Sequence, residues 1–265
     1  MQDFEQQERW LRTRARRSLD PTTRGFGRAG LLGRLHGAGV GVFVIPADDL
    51  AQPIEFEDEL LTRIPERLGG LTANDIASLV QVTTTSDALI RFAPGSDEEG
   101  WRGFVAVTRS GGVECGVGAT SRYVIQGGIS SASGSPVLRL YVLAHLVRVA
   151  VELQFKVIDW AQKYSPGAAI AGPFEVIVAV PGAEGMVLGG LNQGWGQPED
   201  GLLMPPPRAI ETNLTVRVQM DAWPSTDDEI EALMFRTLDR ACEAFGDRNQ
   251  RFLNQNHGVM PKTYA

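Results

Sequence analysis

A chain of 265 residues, 43% hydrophobic and 22% charged, is long and apolar enough to bury a sizeable core, as one large domain or two small ones. Its formal net charge of −7 argues against generic DNA coating, and a count of two cysteines argues against a disulfide scaffold. The charge is uneven: Arg9, Arg12, Arg14, Arg16, Arg17, Arg24, Arg28 and Arg34 against Asp3, Glu5, Glu8 and Asp20 make residues 1–36 net +4, which leaves −11 for the remainder.

Residues 1–38 read as a basic arm and a glycine-rich linker. The spacing predicts a helix over 4–17, anchored by Phe4, Trp10 and Leu11 and broken at Asp20-Pro21. Gly25-Phe26-Gly27-Arg28-Ala29-Gly30 matches the letters of a dinucleotide-binding turn. That turn needs a strand before it, and Leu19 to Arg24 is not one, so a linker is the better reading. A single α+β domain is expected over 39–253, in which 39–100 either form a small subdomain or complete the same core. Residues 254–265 read as a loose tail.

Within that domain, Val40 to Ile45 reads as a buried strand stopped by Pro46. A short helix follows Pro53. Glu55, Glu57, Asp58 and Glu59 suit its start better than they suit a hard cation. Leu71-Thr72 is expected to open another helix, with Thr72 capping and Asp75 completing the box, running to about Val82. Strands are expected at Ala88–Phe92, Gly103–Thr108, Val113–Val117 and Arg122–Gln126. Ser110-Gly111-Gly112 joins the second and third as a hairpin. A low-complexity loop, 127–134, follows.

Ser135-Pro136 then suits the cap and first position of a long helix, to about residue 164. Its polar residues His145, Arg148, Glu152, Lys156, Asp159 and Lys163 fall at steps of three and four, one narrow stripe for solvent. The rest of its circumference is apolar and demands cover, from its own sheet and helices or from a second copy. Phe174–Val180 reads as an interior strand and Thr212–Met220, which alternates, as a half-exposed one. Between them Gly182–Ile210 is a long glycine-rich stretch with Trp195 and three consecutive prolines, a functional or mobile loop by its length. Ser225 to Glu229 supplies a second capping box, for an amphipathic helix over about 226–246. The fold class that follows is α+β, a mostly antiparallel sheet packed against the helices at about 136–164 and 226–246.

Chemistry is sparse. Gly128-Ile129-Ser130-Ser131-Ala132 departs from a nucleophile elbow at its last position. His36, His145 and His257 stand in unrelated contexts, and no Cys or His pair has metal-ligand spacing. No catalytic residue, cofactor-binding residue or metal ligand is assigned, and no cofactor is implied. Arg9, Arg12, Arg14, Arg16 and Arg17 are candidates for phosphate contact with nucleic acid. Asn192, Trp195 and Arg208 are candidates for a small-molecule loop. Cys242, on an apolar helix face, reads as a buried free thiol. With no apolar leader and no membrane span evident, the cytoplasm is expected.

Gly103-Phe104-Val105-Ala106-Val107 with Gly112-Val113-Glu114, then the long helix, then Gly172-Pro173-Phe174-Glu175-Val176-Ile177-Val178 and Gly182-Ala183-Glu184-Gly185, and finally Glu243-Ala244-Phe245-Gly246, form a recognisable order. It resembles the region that follows Schlafen-type AlbA-like domains in bacterial proteins of uncertain role. The resemblance spans about 101–246, a little over half the chain. It implies a nucleic-acid-associated or regulatory setting. The AlbA-like domain itself is not visible in residues 1–100, so no catalytic residue is carried over. Three functional readings follow in order: a non-catalytic interaction, sensor or regulatory protein that self-associates; a nucleic-acid-associated protein using the basic arm; and an enzyme with a small-molecule site near 182–210.

Overall fold

The computed structural model describes residues 31–35, 39–46, 52–69, 75–95, 100–118, 137–165, 170–189 and 208–247. In chain order its elements are β1 (Gly39–Pro46), α1 (Asp58–Arg63), β2 (Arg67–Gly69), β3 (Asp75–Ser78), β4 (Gln81–Thr84), β5 (Ala88–Pro94), β6 (Trp101–Thr108), β7 (Val113–Gly118), β8 (Val137–Arg139), α2 (Leu140–Tyr164), β9 (Phe174–Pro181), β10 (Val187–Gly189), β11 (Asn213–Met220) and α3 (Asp227–Ala244). This is the expected α+β class. Seven strands form one sheet in the order β4-β5-β6-β7-β1-β9-β11, with every neighbouring pair antiparallel. Short pairs β2–β3 and β8–β10 lie outside it, the latter parallel.

Alternation along the strands sorts side chains to two faces. Val40, Val42 and Val44, with Val105, Cys115, Val178 and Val216, face the helices and join the large core. Phe43, Ile45, Ile90, Phe104, Ile177 and Ala179 face the other way and pack with Leu31, Leu32 and Leu35, which lie beside a short 3-10 turn. The central strand β1 is therefore buried on both faces, which explains its unbroken apolar run. At the sheet's margin β11 buries only its helix-facing side chains, and its sequence alternates as expected. Ile54, Leu60, Ile64, Leu68 and Leu79 belong to the same core, so residues from the 39–100 stretch complete it.

The long helix α2 packs on β1 and β7, with α1 and α3 beside it. Its apolar circumference is covered within the chain: Val142, Leu143, Leu146, Val147, Val151, Val157 and Trp160 are all fully buried. Phe155, 48% exposed, and Tyr164, 37% exposed, are exceptions among its described residues. The polar stripe is only partly open to solvent. Lys156, Asp159 and Lys163 are exposed, but His145 is half-buried and Arg148 is buried. Spacing assigns a residue to a face of the helix, not a neighbour to that face. Arg148 is accommodated because its guanidinium pairs with Glu152 at 2.7 Å.

Two expected helical segments are corrected. The described part of the helix expected over 71–82 is extended instead: 75–78 and 81–84 are β3 and β4. The capping letters at Thr72 and Asp75 need a helix-forming body behind them. Val80, Val82, Thr83, Thr84 and Thr85 are β-branched, crowd a helix at χ1, and find an open sheet edge instead. The long helix begins at Leu140 rather than at Pro136, because Val137–Arg139 pair with Val187–Gly189. At the start of α3 the expected capping box forms: the Glu229 amide donates to Thr226 Oγ1 at 3.3 Å and the Thr226 amide to Glu229 Oε2 at 3.2 Å.

Candidate functional site

Arg9, Arg12, Arg14, Arg16, Arg17, Asn192 and Trp195 lie outside the described residues, as do His36, His257, the 122–126 strand and the helix at 4–17. Arg208 is described. Its side chain is exposed and its backbone bridges Val187 of β10, at the approach to β11.

Among the described residues the reactive side chains are held in structural settings. Cys115 sits beneath α2, its thiol donating toward the carbonyls of Val42 at 3.6 Å and Leu146 at 3.5 Å. Burial pushes that thiol up to about 12, so it stays protonated and inert near neutrality. Burial, with Asp247 and Asp239 nearby, pushes the Cys242 thiol up as well. Both cysteines are free. On β9 Glu175 is buried and receives both contacts from Arg217 Nη1 of β11, at 3.2 and 3.1 Å. Gln154, fully buried, donates to the Gly111 carbonyl at 2.8 Å and ties α2 to the β6–β7 turn.

His145 carries a pH prediction. Burial first, and then the Arg148 charge, lower its pKa below the ordinary 6.5. The unfolded imidazole therefore takes up its proton at higher pH than the native one. This contribution is fully present above about pH 6.5 and is lost as pH falls through the window between the two pKa values. Urea unfolding from pH 8 to 5 is expected to show that loss, and His145→Gln to flatten it. An unchanged slope in the variant would exclude His145 as the source.

A cleft of about 490 Å³ opens where β11 meets the first turns of α3, lined by Asp221, Trp223, Glu229, Leu233 and Arg236 among others. Asp227, Asp228 and Glu229 occupy the first turn of α3, and the cleft is wide and shallow, so it offers no anion seat.

Two exposed apolar side chains lie elsewhere, at the far margin of the sheet. Val80, just before the edge strand β4, is 70% exposed, and Val82, on it, is 45% exposed. The strand's inner side pairs with β5, Gln81 opposite Phe92 through Thr84 opposite Leu89. The Thr85 amide donates to the Ala88 carbonyl at 2.8 Å, which makes that pair hydrogen-bonded. By the alternation of an antiparallel ladder, Thr83 and Gln81 bond inward. The N–H and C=O groups of Val82 and Thr84 then point outward, off the sheet. No residue from Val80 to Thr85 is charged, whereas edge strands are ordinarily guarded by charge, proline or a bulge. At the opposite margin β11 carries Arg217 and buries its apolar face under α3. Among the described residues β4 is thus a short edge without charge, proline or bulge. Sequence reasoning missed it by assigning this stretch to a helix; the uncharged β-branched run was the available signal.

No protein-family model, curated protein or solved structure matched the chain in comparison. No described helix is long and apolar enough to cross a membrane, and no described group of His, Cys, Asp and Glu could hold a metal ion.

Proposed function

We propose that this chain is a non-catalytic interaction protein, sensor or regulatory in kind, that takes a partner strand along β4. The observation that carries the reading is the exposed, uncharged edge with two outward-facing sets of backbone groups and two exposed valines. Strand addition supplies affinity through main-chain bonds and specificity through alternate side chains. The resemblance of residues 101–246 to a region found in bacterial AlbA-associated proteins supports a regulatory setting. Amide exchange on the dilute full chain is the test. Val82 and Thr84 are expected to exchange fast while Thr83, bonded inward, is protected. Protection of all three in dilute protein would show the edge already satisfied and would sink the reading.

A second reading rests on charge. A segment of net +4 on a remainder of −11 favours nucleic-acid association through Arg9, Arg12, Arg14, Arg16 and Arg17. Salt-sensitive binding that disappears on deletion of residues 1–20 would support it, and no binding at low salt would end it.

A further inference from the structure

We propose that the strand β4 accepts is β4 of a second copy, paired antiparallel about a twofold axis through Val82. The inference rests on the reading of β4 as an open edge and names its occupant. An isologous pair brings each residue against its own equivalent about the axis, so the strand must be compatible with itself. Only even registers let the outward groups of Val82 and Thr84 meet outward groups of the twin. The register centred on Val82 sets Val82 opposite Val82, Val80 opposite Thr84, and Gln81 opposite Thr83. Val80, Val82 and Thr84 share the helix-side face, so the two most exposed valines of the edge meet β-branched partners and leave water. On the other face each Gln81 amide reaches a Thr83 hydroxyl. No charge lies between Val80 and Thr85, so no like-charge pair opposes this contact. The joined sheets would hold fourteen strands, twice the seven of one copy.

The test uses the full chain with Val82→Cys. Cys115 and Cys242 are buried, so the introduced thiol is the reactive one. In this register the two residues at 82 stand about 5.5 Å apart between Cα atoms, within disulfide range. The two residues at 84 stand four steps apart along the strand, about 14 Å, beyond it. Mild oxidation is expected to link Val82→Cys into dimers, to leave Thr84→Cys unlinked, and to link a mixture of Val80→Cys and Thr84→Cys. Sedimentation of the unmodified chain is expected to show reversible dimers that added salt tightens, because two copies of net charge −7 repel. Val82→Pro removes an outward N–H and no inner ladder bond, so it is expected to fold normally and weaken association by about tenfold or more. Equal linking at 82 and 84, a dimer that survives Val82→Pro, or a chain monomeric at its highest soluble concentration would overturn the inference. In the last case fast exchange at Val82 and Thr84 leaves the open-edge reading standing, and protection there removes both.

Discussion

Replacing Trp160 with alanine is expected to lower the stability of the native state by about 3–5 kcal/mol, the range for truncating a large buried aromatic. Trp160 is fully buried on α2, part of the core that joins helix to sheet, with its ring 5.5 Å from that of Tyr164. Little around it is free to close a void, because it lies within one close-packed core shared by the helices and the sheet. For a chain of this size the loss corresponds to a fall in Tm of roughly 10 °C. The indole Nε1 is buried and has no hydrogen-bond partner. Trp160→Phe removes that unsatisfied donor together with some volume, so the two effects oppose each other and the change should stay within about 1–2 kcal/mol. Thermal and urea unfolding of both variants checks this. Equal losses would show that the nitrogen matters more than the ring volume.

The parts of the fold legible in the sequence are those whose neighbours are also encoded locally. β1, β6, β7, β9 and β11 were readable from apolar runs and alternation, with boundaries shifted by a residue or two. The box at Thr226 and Glu229 was readable because both partners lie within one turn. What escaped depends on distant partners. Thr72 and Asp75 are cap-like letters for a helix running to about Val82, but β5, not the local sequence, decides that Gln81–Thr84 is a strand. Val137–Arg139 extend because Val187–Gly189, fifty residues on, pair with them. The charged stripe of α2 was visible, yet the burial of Arg148 was not, since nothing in helical spacing reports what lies above a face.

The same limit bears on the functional argument. The excess of apolar surface on α2 motivates self-association when the helix is read alone. In the fold most of that surface is met by the chain's own sheet, α1 and α3, and Phe155 and Tyr164 stay exposed. The case for a second copy therefore rests on a different element, the edge strand. Its residues carry no reactive group and were legible only as a run of valine and threonine. A site made of backbone donors and acceptors leaves almost no side-chain motif to find.

Gly172→Ala is expected to destabilise the fold by more than about 3 kcal/mol, at or beyond the upper end for overpacking. A Cβ at this position would overlap the carbonyl oxygen of Asp221 and lie 2.8 Å from its carbonyl carbon and 3.2 Å from the Ala222 Cα. Those are backbone atoms, so no side-chain rotation relieves the overlap. The chain entering β9 and the chain leaving β11 would have to part. That parting strains the Phe174–Met220 pair, where Phe174 also meets the Trp223 ring edge-on at 5.1 Å. Gly185→Ala is the matched control. Gly185 has φ +75° with nothing within 4 Å of the added carbon. It tests backbone conformation without a clash and should cost about 1–2 kcal/mol. Similar losses in the two variants would show that close approach at Gly172 is not what fixes this margin of the sheet. The overlap lies beside β11, across the whole sheet from β4, so a partly destabilised Gly172→Ala that remains folded should still cross-link through Val82→Cys. Loss of cross-linking at native temperature would mean that the two edges do not behave independently.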